Sequence, residues 1–196
     1  MRRLSARLAA AFEAIDAANS ADPTSVEVRG GLEPLALAHG RLATLWVDRL
    51  SPDAGEAVQL AARAHHLRRW EVPRSSYPEG RAGYLRWRRD QKARHAADVE
   101  ALLVAAGFDR DTVGRVQVLI RRESLADDAE AQVIEDVACL AFLETQLGAV
   151  ARRLDPTLMT SVIVKTARKM SPAALALVGD VPLSGADRDL LLAALA

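Results

Sequence analysis

The chain is expected to be all-α, a single-domain bundle of about seven to nine helices spanning residues 1–196, on three observations. Apolar residues recur at spacings of three and four along most of the sequence, the Val/Ile/Thr alternation of strands is scarce, and the breaks carry helix stop and start signals. At 196 residues and 50% hydrophobic, the chain is long enough to bury one core.

The elements follow in order. Leu4, Leu8, Phe12 and Ile15 form the apolar stripe of a first helix, which Asn19 and the Asp22-Pro23 pair close. A short loop ends near Gly30-Gly31, with no Asn-Gly-type hairpin signal. Residues 33–50 repeat the stripe through Leu35, Ala38, Leu42, Leu45, Trp46 and Leu50, and Ser51-Pro52-Asp53 is a stop followed by an N-cap, with Glu56 three residues on. A third helix is expected to run to about Trp70. Pro73, Pro78 and Gly80 forbid regular structure in VPRSSYPEG, and a long helix from about Arg81 to Ala105 ends at Gly107. Further helical patterns occupy 109–122, 128–154, 157–170 and 184–195.

Several classes are excluded. A lone Cys139 in the apolar run VIEDVACLAFLE rules out a disulfide framework and reads as a buried thiol. Glu13 and Asp16 interrupt the amino-terminal stretch, so no signal peptide or membrane span is expected and the location reads as cytoplasmic. Zero net charge with a pI near 6.9 argues against broad nucleic-acid binding, which needs many phosphates neutralised at once. A homodimer is compatible with the pattern.

Within that neutral total, residues 66–95 hold nine Arg/Lys against three Asp/Glu, both tyrosines and two of the three tryptophans. Guanidinium groups bind phosphate bidentately and aromatic rings stack, so this segment reads as a site for a small anionic, nucleotide-like ligand. Only three of the 26 basic residues are lysines, which reflects coding bias; the clustering survives that discount. Arg69, Trp70, Arg74 and Tyr77 lie on or beside the proline-stiffened loop. Tyr84, Arg88, Gln91 or Lys92, and His95 share one face of the long helix, too polar for a core stripe.

His39, His65-His66, His95 and Asp136 come from four separate helical segments. Asp136, among Val133, Ile134, Val137, Cys139 and Leu140, would be costly to bury ionised without a partner, so a cation, a histidine or an arginine should meet it. The order of these groups, and His39-Gly40-Arg41-Leu42, is similar to metal phosphohydrolases of the helical HD type. In that fold an aspartate follows the second histidine. Here it is Leu67, which points to a mononuclear site or none.

HLRRWEVPRSSYPEGRAGYLRWR, the turn carrying Lys92 and His95, IEDVACLAFLE, and VKTARKMSP at 164–172 together resemble the family named domain of unknown function 4202, over nearly the whole chain. The resemblance implies a small helical protein of unassigned activity. It maps onto His66, Arg69, Trp70, Arg74, Tyr77, Arg81, Tyr84, Trp87, Arg88, Lys92, His95 and Asp136, with Lys165 and Lys169 in the later segment.

The expected function is a metal-dependent hydrolase of a small phosphorylated or nucleotide-like anion. His66, His95 and Asp136 form the minimal ligand set, with His39 as a further ligand, for one divalent ion (Mn, Fe, Co, Ni or Zn). Arg88 and Lys92 are the catalytic candidates. Arg69, Trp70, Arg74, Tyr77, Arg81, Tyr84, Trp87, Lys165 and Lys169 are those for substrate binding. Three alternatives stay open: a metal-dependent oxygenase on the same scaffold, a nucleotide- or RNA-binding module without catalysis, and an interaction protein whose histidines and Asp136 form a buried polar network.

Overall fold

A computed structural model describes residues 4–123 and 125–195. Among these, nine α-helices account for most of the chain: α1 (Ala6–Asn19), α2 (Leu35–Leu50), α3 (Glu56–Ala64), α4 (Gly80–Ala105), α5 (Arg110–Arg121), α6 (Ala129–Ala151), α7 (Pro156–Ala167), α8 (Pro172–Ala176) and α9 (Gly185–Leu195). The all-α expectation holds.

Three details differ from the sequence reading. Residues 25–34 form a small antiparallel hairpin, β1 (Ser25–Val28) and β2 (Gly31–Pro34), with Val28 opposite Gly31. Its two turn residues, Arg29 (φ 51°) and Gly30 (φ 81°), are both left-handed, the requirement of the tightest hairpin turn. An arginine at the first of these positions hides the signal, which is usually Asn or Asp. The third helix stops at Ala64 instead of reaching Trp70, and the chain continues as tight turns through 3-10 segments at Arg69–Glu71 and Arg74–Ser76. Finally, Ser171 caps the extra one-turn helix α8, its hydroxyl accepting from the Ala174 amide.

Helices α2, α3, α5 and α6 pack around one apolar cluster that includes Leu42, Trp46, Leu60, Leu119, Ile134 and Leu140, all fully or nearly buried. Its layers are pinned by a few specific polar groups. Arg63 of α3 grips Asp16 of α1 bidentately, at 2.7 and 2.6 Å. Arg115 of α5 does the same to Asp128, at 2.6 and 2.8 Å, while Asp128 caps α6 through the amides of Glu130 and Ala131. Arg29 at the hairpin tip reaches the Glu144 carboxylate of α6, which also accepts from Trp46 Nε1. Among the described residues, no helix is long and apolar enough to cross a membrane.

Candidate metal centre and basic site

His39 lies near the start of α2, and His65-His66 follow the last turn of α3, the helix against which α2 packs. The turn after α3 is fixed by Asn19, whose side-chain oxygen accepts from the Arg68 amide while its nitrogen donates to the Ala36 carbonyl at the start of α2. Arg68 adopts φ 49° at this corner. The three imidazoles thereby meet: ring centroids are 4.6 Å apart for His39 and His66, 4.2 Å for His65 and His66, and 5.9 Å for His39 and His65.

One nitrogen from each lies within 4.8 Å of the others, so small ring rotations bring the three to one ion, with bonds of about 2.0–2.1 Å. The triad can therefore hold a metal. Its outer contacts fit that use. His65 Nδ1 is 2.7 Å from the Ala62 carbonyl, to which only an N–H can donate, so its buried Nε2 is a bare lone pair with no hydrogen-bond partner. The Thr145 hydroxyl, which donates to the Ala141 carbonyl at 2.7 Å, lies 2.8 Å from His39 Nε2, and the buried Nδ1 of His39 has no hydrogen-bond partner. The Gln146 side-chain nitrogen stands 2.7 Å from the same Nε2. Fixing one ring nitrogen with an oxygen acceptor and freeing the other, as at His65, is how ligating histidines are oriented.

Burial keeps these rings neutral. His39 is pushed down to about 3, by burial first and then by the nearby charge of Arg69. His65 and His66 are held well below the ordinary imidazole range by burial first, then by His39 for the one and by His65 for the other. His95 on α4, its ring 6.2 Å from His66, is also pushed down to about 3 by burial and Arg69. It stands next to the triad but outside the group of three.

Asp136 is placed elsewhere. Its carboxylate accepts from the Ser171 amide at 2.8 Å, the Ser171 hydroxyl at 2.6 Å and Gln132 Nε2 at 2.8 Å. It ties the start of α8 to α6. The neighbouring Glu135 takes the central position: its Oε2 is 2.6 Å from Arg122 Nε, both side chains are only 7% exposed, and Lys169 Nζ stands 4.0 Å from its other oxygen. Burial raises the Glu135 carboxyl, but Arg122, Lys92 and Lys169 outweigh it and hold the carboxyl below its usual value.

Arg122 is a site residue that sequence reasoning missed. It closes α5 in a left-handed conformation (φ 55°), which turns its side chain inward. Arg88 and Lys92, half-buried one turn apart on α4, lie within electrostatic reach of it. Burial, then Arg122, pushes Lys92 down to about 8. Arg69 is pushed down to about 10 by burial and Arg88, and its guanidinium lies over the Trp87 ring, 4.4 Å from the centroid.

Other expected binding residues hold the loop in place. Trp87 Nε1 donates to the Val72 carbonyl at 2.9 Å, and buried Gln91 donates to the carbonyls of Arg69 and Val72. Arg74 donates to the carbonyls of Tyr77, Pro78 and Gly80, which makes it a brace for its own loop. Tyr77 donates to Asp90 at 3.1 Å. Trp70 is half-buried; Arg81, Tyr84 and Lys165 are exposed. Cys139 is buried and its thiol is pushed up to about 12, mainly by burial, which makes it unreactive.

Fold and site define a helical protein with a buried three-histidine centre beside a cluster of basic groups. The chain belongs to the family described as Domain of unknown function (DUF4202), whose model matches residues 9–191. No curated protein and no solved structure matches it.

Proposed function

We propose that the protein is a metal-dependent hydrolase of a small phosphorylated compound. The observation that carries this reading is the pair of buried imidazole nitrogens without hydrogen-bond partners, His39 Nδ1 and His65 Nε2, beside His66 and next to Arg69. An unsatisfied buried polar atom is costly, and a cation bound among the three clustered imidazoles would satisfy such atoms. Three protein ligands leave a coordination position for water or substrate, as in catalytic rather than structural sites. An all-imidazole set favours Fe, Co, Ni or Zn over Mn.

A divalent ion at this place would supply Lewis acidity and a water of lowered pKa. The chain's own groups do the rest. Arg69 and Arg88 neutralise the phosphoryl oxygens. Lys92, with a pKa of about 8, is mostly ammonium at neutral pH yet close enough to it to give up a proton. The water oxygen bonds to phosphorus, the bond from phosphorus to the leaving oxygen breaks, that oxygen takes the Lys92 proton, and the proton lost by water passes to solvent. The chain order of the histidines, similar to that of HD-type phosphohydrolases, supports the same reading. Leu67, at the position of their bridging aspartate, supports one ion rather than two.

The test is a hydrolysis screen of nucleotides, sugar phosphates and p-nitrophenyl phosphate with each metal and with chelator. The expected result is metal-dependent phosphate release, lowered about 10²- to 10⁴-fold in kcat by Lys92→Gln with KM little changed. Turnover that ignores both chelator and Lys92→Gln counts against the proposal.

A further inference from the structure

We propose that Arg69, Arg88, Lys92, Arg122 and Lys169 form a site for a diphosphate group, so that the substrate is a diphosphate or its ester rather than a monophosphate. The inference rests on the hydrolase reading in taking the occupant to be the substrate. Its own support is a local imbalance of charge.

Five cations from four segments converge here: the turn after α3 gives Arg69, α4 gives Arg88 and Lys92, the end of α5 gives Arg122, and the turn after α7 gives Lys169. Arg122 and Lys169 share the single carboxylate of Glu135. Arg69, Arg88 and Lys92 form no ion pair among the described residues. Elsewhere several basic side chains find acidic partners, Arg7 with Glu56, Arg63 with Asp16, Arg115 with Asp128 and Glu130, and Arg94 with Glu71 and Asp98, while others without one, such as Arg81, Arg110, Arg153 and Arg168, are exposed to solvent. The excess is thus a property of this place, not of an arginine-rich composition. The neighbouring imidazoles, neutral by burial, neither add to it nor relieve it.

Holding like charges together in a half-buried setting is unfavourable unless an anion joins them. A phosphate monoester carries about −1.5 to −2 at neutral pH and would leave about half of the excess unmatched; a diphosphate, at roughly −3, comes close to matching it. Depth gives the site two ends. Arg122 is 7% exposed and lies within electrostatic reach of His65 and His95, whereas Lys169 is 40% exposed. Arg88 and Lys92 lie between these extremes in exposure. The Arg69 guanidinium lies over the Trp87 ring, and guanidinium groups bind phosphate bidentately.

The test is calorimetric titration of the metal-free full chain with sodium pyrophosphate, orthophosphate and sulfate at one ionic strength. Pyrophosphate is expected to bind at least about tenfold more tightly than orthophosphate or sulfate. Lys92→Gln and Lys169→Gln, both of which leave the buried Arg122–Glu135 pair in place, should each weaken pyrophosphate by about tenfold, the worth of one charge-assisted hydrogen bond. Arg153→Gln, an exposed change at the end of α6, should have no effect. Arg122→Gln should abolish binding in whatever fraction folds. Pyrophosphate affinity equal to that of orthophosphate, or unchanged in both lysine variants, overturns the proposal. Metal content is read separately, so failure here with metal retained leaves the metal centre standing, and loss of metal with pyrophosphate binding intact leaves the anion site standing.

Discussion

Gly40 of α2 faces the Arg63 carbonyl of α3 so closely that a Cβ added to it would lie 2.5 Å from that oxygen. This contact sets the approach of the helix that carries His39 to the helix that ends at His65-His66. Gly40→Ala gains up to about 1 kcal/mol of helix propensity but must push α2 away from backbone, which costs about 1–3 kcal/mol. The expected outcome is a net loss of stability in urea unfolding together with weaker metal binding. Ala at another surface position of α2 should change neither.

Two adjacent carboxylates should behave differently. Glu135→Gln strands the buried Arg122 charge in an already basic region and is expected to cost about 3–5 kcal/mol. Asp136→Asn keeps an acceptor for the Ser171 amide and loses only the charge-assisted part of its bonds, about 1–3 kcal/mol. Chemical denaturation measures both. Metal content should survive Asp136→Asn, since its oxygens serve Ser171 and Gln132 and not the histidines.

Buried histidines make the metal-free protein acid-sensitive. In the unfolded chain each titrates near 6.5. In the folded protein His39 and His95 sit at about 3. Between these values the unfolded state binds more protons, so stability rises with pH and is lost as pH falls below about 6.5, by up to about 1.4 kcal/mol per pH unit per histidine. Urea midpoints of chelator-treated protein at pH 7.5, 6 and 5 should fall in that order. His95→Gln should flatten the slope.

The fold class and most helix positions were legible because three- and four-residue periodicity and stop signals survive in sequence. So was the pairing of basic and aromatic residues at 66–95, of which Arg69, Arg88 and Lys92 reach the site. The hairpin escaped because Arg29 occupies a left-handed turn position that its residue type does not announce. Arg122 escaped for the same reason: only its conformation at the end of α5 turns it inward. Glu135 and Asp136 are both buried in an apolar run, and periodicity alone does not tell which one meets a cation; that depends on α8 and α5, brought to α6 from distant sequence. Arg74 reads as an anion ligand by composition, yet three local carbonyls claim it.

The most direct measurement is metal analysis of the full chain purified without chelator or a nickel column, before and after titration with Fe, Co, Ni, Mn and Zn, for wild type and His65→Ala. Wild type is expected to carry close to one equivalent of a divalent ion, and a folded His65→Ala protein to lose it. Wild type that carries less than about a tenth of an equivalent and takes up none on titration would contradict it.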